Sequence, residues 1–104
     1  MIGDLRVRLG LYVPQETLDD LGGARIDWVF VRGLWGAVIP RTLSEVRENG
    51  QLTVTQSYRV TLRYRDDFPE TARLIWGHRL LRVITHSDPD NRRERLHLIC
   101  EEEQ

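Results

Sequence analysis

The sequence predicts an all-β fold: a small barrel of about six mostly antiparallel strands, with one polar loop or short helix between strands 2 and 3. Three observations lead there. Apolar and polar residues alternate with period two through most of the chain, the mark of strands with one buried face. Turn signals at Gly22–Gly23, Gly77–His78 and Ser87–Asn91 break that alternation into short runs. Only one segment carries any helix signal. With 104 residues, the chain is read as a single domain, 1–104, just large enough to bury a core without disulfides or metals.

Strand 1 is RVRLGLYVP, in which Val7, Leu9, Leu11 and Val13 share a face, Arg6 and Arg8 take the other, and Pro14 ends the run. After the Gly22–Gly23 loop, strand 2 (IDWVFVRGLWGAVIP) is apolar on both faces and holds Gly33 and Gly36, so a bend or bulge is expected within it. The polar excursion Arg41–Thr53 follows. Thr42 and Glu45 stand at capping-box spacing there, with Gly50 as the stop, so a short helix or projecting loop is expected. Strand 3 is VTQSYRVTLRYR, with Val54, Tyr58, Val60, Leu62 and Tyr64 on the buried side and Arg59, Arg63 and Arg65 on the other. DDFPET is a turn, ARLIWGHRLLRVITH is two strands around Gly77–His78, and ERLHLICEE closes a meander whose acidic tail, Glu101–Gln104, is expected to fray. The expected core includes Val7, Leu9, Trp28, Trp35, Val60, Leu62, Trp76, Val83, Leu96 and Leu98.

Composition narrows the function classes. The net charge is −1, which excludes a globally basic nucleic-acid binder. All fifteen basic residues are arginine; coding bias explains that simply, yet arginine's planar fork suits protein contacts. A single cysteine excludes an intrachain disulfide and points to a reducing compartment. The start, MIGDLRVRLG, has no signal-type apolar region and no stretch is apolar enough to span a bilayer, so no membrane association is expected.

No catalytic or metal constellation stands out. His78, His86, His97 and Cys100 fit no zinc spacing, and His97 and Cys100 fall on opposite faces of one strand. Cys100 shares a face with Leu96 and Leu98 and reads as a small buried hydrophobe. Neither a GxSxG elbow nor a phosphate-cradling glycine loop occurs. The expectation is a non-enzyme without cofactor, metal or catalytic residues. Two surfaces remain: the outward arginines Arg59, Arg63 and Arg65 of strand 3, and Arg92, Arg93 and Arg95 at the start of the last strand. They suit either docking to protein chains or a single-stranded nucleic-acid-binding small β-barrel. The second reading lacks the interleaved aromatics that stack bases, since Tyr58 and Tyr64 face inward.

Several motifs, in order, resemble the phage head–tail joining family of head-completion or stopper connectors. YRVTLRYR resembles the family's strand ending in an "IRYR"-like run, RLIWGHRLLRV its "RIVWGGRVFRI"-like hairpin, and SDPDNRRERLHLICEE its "DPDxRRRELxLxCxE"-like close. Gly22–Gly23, Trp28 and WGAVIP resemble its "GGxxxxW…WAxVxP" order. The chain departs at RTLSEVRENG, where the family is often glycine-rich or "SGRE"-like, and at Gly36, usually alanine there.

The resemblance implies a connector in the virion of a tailed phage or a gene-transfer-agent particle, assembled in the bacterial cytoplasm. Copies would form a six- or twelve-fold ring below the portal and adaptor, meet the tail terminator beneath, and pass packaged double-stranded DNA through the channel. Such a ring retains DNA and docks the tail. In some members the loop after strand 2 closes the channel; here it maps to Arg41, Thr42, Leu43, Ser44, Glu45, Val46, Arg47, Glu48, Asn49 and Gly50. The six arginines then read as subunit or partner docking residues. A tail-associated accessory protein of the same particle is a third, blander reading.

Overall fold

The computed structural model of the chain describes residues 5–103, without the side chains of 42–48 and 53. Among them six strands form: β1 (Val7–Leu18), β2 (Ala24–Glu48), β3 (Gln51–Arg63), β4 (Arg73–Trp76), β5 (Arg79–Ser87) and β6 (Arg95–Glu103). Every pairing is antiparallel, and the strands close into a barrel in the order β1-β2-β3-β6-β5-β4. The expected all-β barrel of six strands is what folds, but it is not a plain meander. β3 pairs with β6 rather than β4, so residues 64–72 cross one barrel mouth. Phe68 and Ala72 are buried there, and burying that apolar surface compensates for an otherwise polar crossover.

The core is an alternating inner layer: Leu9 and Leu11 of β1, Leu34 of β2, Tyr58, Val60 and Leu62 of β3, Leu74 and Leu81, and Leu96, Leu98 and Cys100 of β6. Val7, Trp76 and Val83 pack at its margins. Two expected core residues face outward. Trp35 lies between inward Leu34 and Gly36 and is 54% exposed, under the Arg8 guanidinium 5.1 Å from its ring. Trp28 is half-buried on the outer surface, with the Arg73 guanidinium carbon 4.0 Å from its ring centroid. The cause lies in β2: Leu11 pairs with Arg32 and Tyr12 with Phe30, so Val31 is an extra residue that flips the face of everything before it.

The boundaries differ from expectation where a free edge tolerates it. β1 runs through Pro14 to Leu18, because beyond Tyr12 only β2 lies beside it and a missing N–H on the open edge leaves no ladder bond unmade. At the other end of β2, no helix forms in the polar excursion. β2 and β3 continue as a hairpin to Glu48–Gln51 around Asn49 (φ 52) and Gly50 (φ 78), the Asn-Gly pair that a I′ turn requires. The Thr42 and Glu45 side chains lie outside the described residues, but the backbone there is strand and offers no helix to cap. The acidic tail is ordered too. β6 pairs with β5 as far as Glu103, while Gln104 lies outside the described residues.

Two hairpins therefore leave the barrel from opposite ends of β2. Residues 13–18 and 24–29 pair only with each other, as do residues 43–48 and 51–56. Six residues of strand reach about 20 Å. The radius of gyration is 15.7 Å, against about 13 Å for a compact chain of this length, which is the signature of the two arms.

Candidate functional site

The first candidate surface is the β2–β3 arm. A second bulge, between Pro40 and Leu43, marks where it leaves the barrel. A bulge frees backbone groups from the ladder, and the Gln56 side-chain amide donates to the Arg41 carbonyl at 3.0 Å. Below it the barrel mouth is sealed by polar–aromatic contacts. The Tyr58 hydroxyl donates to Glu102 at 2.7 Å and accepts from Arg79 at 3.4 Å. Trp76 meets Tyr58 edge-on at 5.6 Å and carries the Arg79 guanidinium on its other contact at 4.8 Å. Burial, and then the hydrogen bond to the Glu102 carboxylate, push the Tyr58 hydroxyl above its ordinary pKa. The arm thus stands on a rigid base. Of the ten residues expected to form the stopper, Arg41, Asn49 and Gly50 are exposed; the side chains of the other seven lie outside the described residues.

The second candidate surface lies on the outer face of β2, β3 and β6. In register, Ile39 lies opposite Arg59 and Arg59 opposite Ile99; Ala37 lies opposite Thr61 and Thr61 opposite His97; Arg63 lies opposite Arg95. The turn before β6 rises beside this face and makes a groove of about 790 Å³, with Ala37 and Ile39 as an apolar floor and Arg59, Arg92 and Arg95 around it beside Asp90 and Glu94. Arg63 and Arg65 line an adjoining groove, which shares Leu5 with the first. The structure therefore brings five of the six expected docking arginines onto neighbouring grooves. Arg93 stands apart: at φ 57, its backbone N–H donates to Asp88 at 2.7 Å and it shapes the turn.

Charge on this face is incompletely balanced. Arg95 pairs with Asp90 at 3.1 Å and Arg65 with Asp67 at 3.1 Å; the latter hydrogen bond holds the Asp67 carboxyl below its usual range. Arg59, Arg63, Arg92 and Arg93 make no ion pair among the described residues. Directly opposed like charges such as Arg63 and Arg95 are unfavourable across strands. The other opposed arginines, Arg73 and Arg82, are instead neutralised by Glu103 at 3.0 Å and Glu101 at 2.8 Å. Partial burial, then Arg59 and Arg95, hold His97 below its ordinary pKa despite Asp90. The face thus presents fixed positive charge beside an apolar floor and a neutral histidine. Among the described residues that line the groove, His97 is the one ring and no Phe, Tyr or Trp is present, so there is no row of aromatics on which successive bases could stack.

The other expected positions are scattered. His78 lies in the β4–β5 turn, His86 packs on Phe68 at 5.3 Å, and Cys100 is in the core. Burial pushes the Cys100 thiol up to about 12, so it is protonated at neutral pH and a poor nucleophile. Sequence reasoning missed the apolar floor, Ala37 and Ile39, and the tip of the β1–β2 arm, where Leu18, Leu21 and Ile26 are 76%, 95% and 62% exposed. Leu18 and Leu21 before the Gly22–Gly23 loop and Ile26 after it were the available signal.

Comparison with known proteins bears on the family and the fold. The model of a family described as phage head completion protein matches residues 1–103. A chain from the virion of a native gene transfer agent particle superposes with a TM-score of 0.78 at 22% identity, covering 93% of each chain. Protein SF1141 from Shigella flexneri 2a, solved in solution, superposes at 0.71 with 28% identity over 97% of this chain and 95% of that one. No curated protein matches.

Proposed function

The chain belongs to the phage head completion protein family, and on that premise we propose that it is a ring-forming structural connector between portal or adaptor and tail. It retains packaged double-stranded DNA and gives the tail its platform. The observation that carries this reading is the β2–β3 arm, anchored at Tyr58 and Gln56 and extending past β6 at its end of the barrel. In a ring of such barrels, six or twelve arms directed at the axis would narrow the channel, and residues 41–50 would be the stopper. The outer arginine face is then a docking surface for neighbouring copies or for the rings above and below, because unbalanced charge selects among partners. A similar fold stands in a gene transfer agent virion, which supports a place in such a particle. The work is mechanical rather than catalytic.

Cryo-electron microscopy of the particle's head–tail junction tests the reading. The expected density is a ring of six-stranded barrels between portal and tail with the 41–56 hairpins pointing at the axis. Hairpins pointing outward would overturn the stopper role, and barrels located elsewhere would overturn the connector role.

A further inference from the structure

The β1–β2 arm carries a surface that the stopper reading does not use. Directly paired residues of a hairpin share a face, and β1 and β2 pair Tyr12 with Phe30, Pro14 with Trp28, Glu16 with Ile26, and Leu18 with Ala24. One face of the arm is therefore a nearly continuous apolar stripe from the Tyr12–Phe30 edge contact at 5.5 Å out to Leu18. Leu21, 95% exposed, extends it over the tip. Scattered surface leucines are ordinary; an aligned stripe on a protruding hairpin marks an interaction surface. The arm is also acidic. Residues 13–29 hold Glu16, Asp19, Asp20 and Asp27 against Arg25 alone, four negative charges to one positive. Arg25 is taken by Asp27 at 3.2 Å, and the tip loop is held rigid by Asp19, whose Oδ1 accepts from the Leu21 and Gly23 N–H groups at 3.0 and 2.7 Å.

A surface with the opposite character exists on the same chain. The groove floored by Ala37 and Ile39 is lined by Arg59, Arg92 and Arg95 against Asp90 and Glu94, three positive charges to two negative. Asp90 is taken by Arg95, and Arg59 and Arg92 make no ion pair among the described residues. Ile26 and Ala37 are eleven residues apart on one continuous strand, so a paired arm does not fold back onto its own groove. We infer that the β1–β2 arm of one copy docks its apolar, acidic tip in the arginine-rimmed groove of the next copy. Each copy then offers one arm and one groove, a head-to-tail contact that repeats and closes as a ring. An acidic tip repels phosphates, so DNA is not its occupant. The inference deepens the ring proposed above and rests on it.

Disulfide trapping tests it with Leu21→Cys and Ile39→Cys, both in exposed positions, while Cys100 stays buried and inert. Mild oxidation is applied to the purified chain and to particles from a strain complemented with it. The expected result is a ladder of dimers, trimers and higher species in the double variant alone, with Asp20→Arg cutting its yield at least fivefold. Dimers from Leu21→Cys alone would mean tip-to-tip contact and overturn the inference. So would the absence of a ladder in particles that carry the chain, which would leave the connector reading intact. Particles that lack the chain altogether would instead overturn the connector reading, and the purified chain then decides the arm–groove contact by itself.

Discussion

The Tyr58 hydroxyl and the Glu102 carboxylate, 44 residues apart in sequence, are joined by a 2.7 Å hydrogen bond at the barrel mouth beneath the β2–β3 arm. It ties β3, where the arm begins, to the last turns of β6. Removing the hydroxyl by Tyr58→Phe keeps the ring against Trp76 but leaves a partly buried carboxylate without its donor. The expected cost is about 1 kcal/mol, read as a fall in Tm of roughly 5 °C. Hydrogen exchange in the arm should rise more than in the core strands, since the lost bond lies at the arm's base.

Gly36→Ala tests the packing of β2 against β3. A Cβ at Gly36 would meet Leu62 Cδ2 at 2.9 Å, Leu9 Cδ1 at 3.0 Å and the Thr61 carbonyl oxygen at 3.0 Å. Leucine ends can yield in a loose site, but both leucines are buried and the carbonyl belongs to the barrel wall. The expected change is a loss of about 1–2 kcal/mol in chemical unfolding. Equal or greater stability would mean that the wall shifts more readily than this packing implies.

His97 gives a pH dependence with a definite sign. Its folded pKa lies below the ordinary 6.5, whereas the unfolded chain titrates near that value. As pH falls through about 6.5 the unfolded state takes the proton first, so stability is lost on acidification. The urea midpoint should decline from pH 7 towards 5.5, and His97→Gln should flatten that part of the curve. A midpoint that rises over this interval in the parent but not in the variant would reverse the assignment.

Much of this was legible in the sequence, and the misses share a cause. Period-two alternation located five of the ten expected core residues fully, Leu9, Val60, Leu62, Leu96 and Leu98, with Val7, Trp76 and Val83 at the margin. Trp28 was misplaced because a bulge at Val31 reverses faces; Gly33 and Gly36 announced a bulge in β2 but not its position. Trp35 was misplaced because tryptophan's size argued for burial, while its neighbours, Leu34 and Gly36, already held the inward positions. Of the two forms expected for the polar excursion, the projecting loop is roughly what folds and the helix is not: capping-box spacing competes with an Asn-Gly hairpin turn, and the turn won because β3 offered an adjacent strand to extend. The grooves depend on long-range register between β3 and β6, which local pattern does not encode.

Docking through the arginine face predicts a separation of folding from assembly. Arg63→Glu and Arg92→Glu change exposed side chains with no ion pair among the described residues, so each variant should fold with a Tm within a few degrees of the parent. Particles made with them should fail to join heads to tails. Unchanged joining and infectivity or gene transfer in both would remove these arginines from the docking surface. In parallel, titration with single-stranded oligonucleotides should give no micromolar, steeply salt-dependent binding; such binding would favour the nucleic-acid reading.

The most direct measurement of the central claim is negative-stain microscopy of particles from a strain that lacks this gene. A structural connector predicts tailless heads beside free tails, with heads that have leaked or lost their DNA, and full rescue by the parent chain in trans. Normal, DNA-filled, tailed particles from the same strain would contradict it.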